Sequence, residues 1–145
     1  MVKEYQNWGD VYTIEFDIIV TEIPPTSSSV FRFTAGNEDC CNKVDRIPAL
    51  FVTQAGEFFI ANTKMGAFVF AFELGKTYQI TIRYFKECEK YWYEILIDGN
   101  SKFKIESTNP ESFSNVKFYA GDPWHDPFSS DFGSICNVKI GIVLA

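Results

Sequence analysis

The chain predicts an all-β fold, an antiparallel sandwich or barrel, on three observations. Apolar and polar residues alternate with a period of two through several segments, and Gly, Pro, Asn or Asp turn signals recur roughly every eight to twelve residues. No stretch carries a helical period. The apolar set is also heavy in Phe (15 residues) and Tyr (7), which suit pleated, half-buried surfaces.

Taken in order, residues 1–10 form an edge segment anchored by Tyr5 or Trp8 and closed by Gly9-Asp10. Val11 to Thr21 is a strand whose Ile14, Phe16, Ile18 and Val20 point to a core while Thr13, Glu15, Asp17 and Thr21 face water. Pro24 to Ser29 is a loop, and Val30 to Thr34 a short strand presenting Phe31 and Phe33 together. Ala35 to Val44 is polar and aperiodic, a long loop. The chain re-enters a sheet at Asp45 to Thr53, with Pro48 at the strand start where a missing N–H costs little. Gln54-Ala55-Gly56 and Thr63 to Gly66 are turns around Glu57 to Asn62, and Ala67 to Phe72 follows. Thr77 to Phe85 sends Tyr78, Ile80, Ile82 and Tyr84 inward. Tyr91 to Ile97 and Ser101 to Glu106 flank Asp98-Gly99, the strongest hairpin signal in the sequence, with Phe103 and Ile105 inward. After Ser107 to Ser114 crosses over, Asn115 to Ala120 and Ile135 to Val143 are expected to pair as a final hairpin around a loop loaded with aromatics and carboxylates. About ten to twelve strands result.

At 145 residues the length suits one domain, 1–145, able to bury ~68–70% of its unfolded surface. A net charge of −6 and lysines scattered singly among acids offer no basic stripe for nucleic acid or an anionic membrane surface. No apolar run reaches the roughly 18 to 20 residues of a membrane span, so no membrane insertion is expected. Met1-Val2-Lys3-Glu4-Tyr5 lacks the apolar core of a secretory signal. Among Cys40, Cys41, Cys88 and Cys136, the adjacent pair is a strained partnership, so each is expected to bond Cys88 or Cys136. Such a disulfide fits an extracellular, secreted setting; free, partly buried thiols are the alternative. A zinc site lacks any C-x2-C spacing.

Three segments read together carry a resemblance: Asp45-Arg46-Ile47-Pro48-Ala49-Leu50-Phe51 before a Gly turn, the Ile95-Leu96-Ile97-Asp98-Gly99 hairpin, and Asn115 to Trp124 closing on Gly133 to Val138. Their order resembles concanavalin A-like, laminin-G-like jelly-roll domains over roughly residues 11 to 143. The resemblance implies two antiparallel sheets of about six or seven strands, a two-sheet β-sandwich, with ligand often carried on the concave sheet. Some relatives are glycoside hydrolases with a Glu-x-Asp-x-x-Glu strand. Alternation does put Glu15 and Asp17 on one face, but the third carboxylate position holds Val20, and a solvated strand face is the plainer reading.

The loaded loop offers Asp122, Trp124, His125 and Asp126. An aromatic platform for a sugar ring beside carboxylates that accept its hydroxyls is what a carbohydrate site needs; Trp124 could equally plug the open end of a sandwich. Relatives of this kind also bind calcium, and Asp122, Asp126 and Asp131, with Asn37, Glu38 and Asp39 on another loop, are the candidate oxygen ligands. Asp45 and Arg46 form either a buried ion pair that anchors the loop or, through Arg46, a ligand donor. No serine elbow, P-loop or dinucleotide fingerprint is present, and the single histidine has no triad context.

The sequence therefore points to a non-catalytic, lectin-like module that binds a glycan or glycoprotein through Trp124, His125, Asp122, Asp126, Asp45 and Arg46, with calcium as the candidate cofactor. A structural or adhesive domain that forms a homo-oligomer through exposed aromatics such as Tyr91 and Tyr93 is the alternative, ahead of a hydrolase using Glu15 and Asp17.

Overall fold

In the computed structural model, which describes residues 1–143, the chain is all-β, with two sheets packed face to face. Leu144 and Ala145, the end of the expected 1–145 domain, lie outside the described residues. Twelve strands follow in order: β1 (Lys3–Trp8), β2 (Val11–Val20), β3 (Ser28–Thr34), β4 (Ala49–Val52), β5 (Glu57–Asn62), β6 (Gly66–Ala71), β7 (Thr77–Glu87), β8 (Lys90–Ile97), β9 (Asn100–Ser107), β10 (Phe113–Tyr119), β11 (Asp126–Pro127) and β12 (Gly133–Val143). One sheet runs β1-β10-β3-β4-β5-β6, and the other β12-β2-β7-β8-β9. Every pairing is antiparallel except a two-residue parallel bridge of β11 to β3. Among the described residues no helix is long and apolar enough to cross a membrane.

Period-2 chemistry builds the core. On β2, Tyr12, Ile14, Phe16, Ile18 and Val20 are buried while the residues between them are half-exposed. They face Phe31, Phe33, Leu50, Val52, Phe58 and Ile60 of the first sheet, with Ile80, Ile82, Tyr93 and Ile95 completing the second. Edge-to-face aromatic pairs, such as Phe33 against Phe118 with centroids 4.5 Å apart, add specific geometry to that burial. Trp8 anchors the edge strand β1 as expected: it is 1% exposed and packs on Phe33.

Four expectations are corrected. The Asn115–Ala120 and Ile135–Val143 segments do not form a hairpin: β10 pairs with β1 and β3, whereas β12 crosses to the other sheet and pairs with β2. Both alternate correctly, but alternation gives a strand a buried face without saying which sheet it joins. Neither Cys40 nor Cys41 bonds Cys88 or Cys136; those two are free and exposed, and the Cys40 and Cys41 sulfurs face each other. Tyr93 is 0% exposed because it belongs to the inward set of β8, so an exposed Tyr91–Tyr93 patch does not exist. Ile105, expected inward, is an exposed residue near the end of an edge strand.

The feature that positions the site is β3, buried along its whole length. Its inward residues are core, and its outward residues are covered by two loops. β10 pairs with β3 at Thr34 to Arg32, and Gly121 N–H then donates to the Val30 carbonyl. The chain leaves the sheet for Asp122 to His125 and returns at Asp126 and Pro127, which lie beside Ser28 and Ser29. Phe128 N–H bonds the Ser29 carbonyl. The loop is thus pinned to β3 at both ends. Gly121 makes its turn at φ +79°, where a Cβ would press on Pro127.

Candidate functional site

Arg32 lies between Phe31 and Phe33 and so projects from the outer face of the first sheet, yet it is fully buried. A buried guanidinium must find partners for its five N–H groups, and here both covering loops supply them. Nε donates to Asp122 Oδ2 at 3.0 Å, and an Nη stands 2.9 Å from the same oxygen as an ion pair. The other contacts go to the 35–48 loop: the Asp39 carbonyl and carboxylate, each at 2.6 Å, and the Asp45 carbonyl at 3.4 Å. Trp124 lies over the guanidinium, with its ring centroid 4.8 Å from Cζ.

Asp122 organises its own loop. Its Oδ1 accepts from the backbone N–H groups of Trp124 and His125, both at 2.9 Å, and lies 3.0 Å from His125 Nδ1. A carboxylate that holds the next two residues' amides is an Asx-type turn, which Pro123 helps to pre-form by fixing its φ. Burial works to raise the Asp122 carboxyl pKa, but the Arg32 charge, then the His125 and Trp124 hydrogen bonds, outweigh it and hold the group below the ordinary carboxylate range. Asp39 is held low in the same way: partial burial opposes the charge, and hydrogen bonds from Arg32 and Arg46 win.

Arg46 extends the network outward. Its Nη bonds Asp39 Oδ1 at 2.9 Å, and its guanidinium lies 5.0 Å from the Phe51 ring centroid. The His125 ring meets Phe51 edge-on at 4.8 Å, and its Nε2 stands 3.5 Å from Asp39 Oδ2. Phe51 pairs across β4 and β5 with Phe59, so both rings lie on the outer sheet face. An open depression of about 210 Å³ results, lined by Ser27, Arg46, Phe51, Thr53, Phe59 and His125. A shallower one of about 400 Å³ adjoins it, lined by Thr26, Ser27, Pro123, Trp124, His125 and Asp126. Ser27 and His125 belong to both, so the two form one continuous surface.

The sequence candidates separate on this map. Trp124, His125, Asp122 and Arg46 are brought together, though Asp122 is a buried support rather than a contact surface. Asp126 is on the rim, accepting from Thr26 at 2.8 Å. The expected Asp45–Arg46 ion pair does not form: Asp45 is 1% exposed and accepts the Asn42 N–H at 2.7 Å within its own loop, while Arg46 pairs with Asp39. Asp131 is exposed, beyond β11. As for calcium, both Asp122 oxygens are already engaged, one of them by a guanidinium that would repel a cation. Among the described residues no three His, Cys, Asp or Glu side chains converge on a common point. The donor set around Asp122, Asp126 and Asp131 does not fit the ion.

Arg32, Phe51 and Phe59 are the members that sequence reading passed over. The available signal was an arginine set between two core phenylalanines on a strand bounded by serines. Glu15 and Asp17 lie on the outer face of the other sheet, remote from this cluster, and Asp17 accepts from Asn137 Nδ2 at 2.7 Å.

No family model and no curated protein matches the chain. Among solved structures, it is similar to the receptor binding domain of botulinum neurotoxin D, with a TM-score of 0.60 and 11% identity over 97% of this chain and 35% of that one. A native heptameric SAP-like pentraxin from Limulus polyphemus gives 0.58 and 10% identity over 96% of this chain and 66% of that one. Trypanosoma rangeli sialidase gives 0.52 and 16% identity over 90% of this chain and 20% of that one. The likeness is one of fold. It extends to the all-β, two-sheet sandwich, and this chain spans only a fifth to about a third of the toxin and sialidase structures.

Proposed function

We propose that the domain is a non-catalytic carbohydrate-binding module whose ligand lies across the outer face of the β10-β3-β4-β5 sheet, between Phe59 and Trp124. The observation that carries this reading is the continuous depression in which aromatic rings (Phe51, Phe59, Trp124) form floor and wall while Arg46, Thr53, Ser27 and His125 supply polar groups at the rim. A sugar presents apolar C–H faces to rings and hydroxyls to such donors and acceptors, and open, shallow sites of mixed character suit it. Similarity of fold to a toxin's receptor binding domain supports a binding role. Glycoproteins are the corresponding natural partners, and an extracellular setting goes with them.

The cluster offers support rather than chemistry. Asp122 is committed to Arg32 and to its own loop, and His125 to Asp122 and Phe51, so no carboxylate pair faces the depression. The test is a glycan array with the wild-type domain, followed by calorimetric titration of each hit into Phe59→Ala and Arg46→Ala. Loss of binding by at least tenfold in both, with unchanged thermal unfolding, supports the reading. Hits that bind both variants at wild-type affinity would remove the site from this face, and no hit on the array would remove the ligand class.

A further inference from the structure

We propose that β6 is the seam of a two-fold homodimer in which the β6 strands of two copies pair antiparallel and join their sheets into one. The inference does not depend on which ligand the outer face binds.

A sheet edge exposes a row of unpaired N–H and C=O groups, and edges that stay monomeric are usually blunted by charge, proline or a bulge. The sandwich has four edges: β1 and β6 on one sheet, β12 and β9 on the other. Three are guarded. β1 carries Lys3 and Glu4, β9 carries Lys102, Lys104 and Glu106, and β12 carries Lys139 beside a register shift between Cys136 and Lys139. β6, Gly66-Ala67-Phe68-Val69-Phe70-Ala71, has neither a charge nor a proline, and pairs in unbroken register with β5 from end to end.

The hydrogen-bond phase of that pairing fixes what the free edge presents. Phe72 N–H donates to the Gly56 carbonyl, so in an antiparallel ladder Phe70, Phe68 and Gly66 also turn their backbone groups to β5. The groups of Ala67, Val69 and Ala71 therefore face outward. All three are exposed, with Val69 at 45%. A second copy related by a two-fold axis through Val69 brings Val69 opposite Val69 and Ala67 opposite Ala71. Each such pair exchanges two backbone bonds, about six in all. The same register sets Phe68 against Phe70 on the core face. Only small or apolar residues meet, so the edge is complementary to itself, as an isologous contact requires. The net charge of −6 opposes association, but salt confines that repulsion to charges within about 8 Å at 0.15 M, and β6 contributes none.

The experiment is sedimentation equilibrium of the full 145-residue chain from ~1 to ~200 μM, repeated on Val69→Pro and Val69→Lys. Proline at Val69 removes an outward N–H that β5 does not use. Lysine sets two ammonium groups across the axis on an exposed face, so it keeps the test decisive if the proline variant does not fold. The expected result is a mass that rises toward twice 16.6 kDa for the wild type. Dimerisation should be at least tenfold weaker in Val69→Lys at low salt and absent in a folded Val69→Pro. A wild type that stays monomeric throughout, or a dimer that forms equally well in both variants, would overturn the proposal. In the first case an extended segment of a different protein becomes the candidate occupant of the edge; in the second, another face of the sandwich.

Discussion

Arg32 and Asp122, 90 residues apart, meet at 3.0 Å with both side chains wholly excluded from water. This pair ties the Asp122–His125 loop to the middle of β3, and through Asp39 it ties down the second loop as well. A fully desolvated pair is weak evidence for net stability, because burial offsets much of the attraction. Breaking it is another matter, since one charge is then left buried and alone.

Arg32→Met should therefore destabilise the domain by about 3–5 kcal/mol. In a chain of this size that lowers the melting temperature by roughly 10 °C, read by calorimetry or circular dichroism. The double variant Arg32→Met/Asp122→Asn should lose less than the sum of the two single losses, as coupled neighbours do. Additive losses would show that the two residues act independently.

Acid should loosen both loops. Asp122 and Asp39 are held below their unfolded values, so their contribution is fully present above the unfolded carboxylate pKa near ~3.9 and is lost as pH falls through the folded value. The unfolded chain takes up the protons first. Stability should thus be level from about pH 5 upward as far as these two groups are concerned, and fall below about pH 4. In Asp122→Asn the fall should be shallower, which chemical denaturation at stepped pH measures directly.

Gly133→Ala tests the path of the chain back into the second sheet. A Cβ there would run into the Ile19 carbonyl oxygen and crowd the Phe128 ring. Overpacking of this kind costs about 1–3 kcal/mol. The variant should melt several degrees lower while β2 to β9 keep their far-ultraviolet signal. An unchanged melting temperature would mean that β12 can shift off β2 without cost.

Much of the fold was legible because one face of each strand is buried and the other wet: β2, β7 and β8 read directly from alternation, and Asp98-Gly99 marked the β8–β9 turn. What alternation cannot supply is the partner of a strand. β10 and β12 therefore read as a hairpin although each completes a different sheet. The candidate site was legible only in part. Trp124, His125 and Asp122 stood out by their crowding in a proline-bounded loop, and Arg46 by its place before a strand. Arg32 did not, because its alternation with Phe31 and Phe33 looks like an ordinary solvated strand face, and only the covering loops bury it. A lone arginine between core phenylalanines has meaning only once the loops that cover it are known. Asp45 was misassigned for the opposite reason, since adjacency to Arg46 suggested a pair that the backbone directs apart.

An amide chemical-shift titration of the labelled domain with a glycan that the array selects reads the binding face directly. A ligand on the outer face of the β3-β4-β5 sheet should give saturable shifts confined to Ser27, Arg46, Phe51, Thr53, Phe59 and the Trp124–Asp126 segment, with Glu15 and Asp17 unmoved. Shifts centred instead on the β2 face around Glu15 and Asp17 would contradict it.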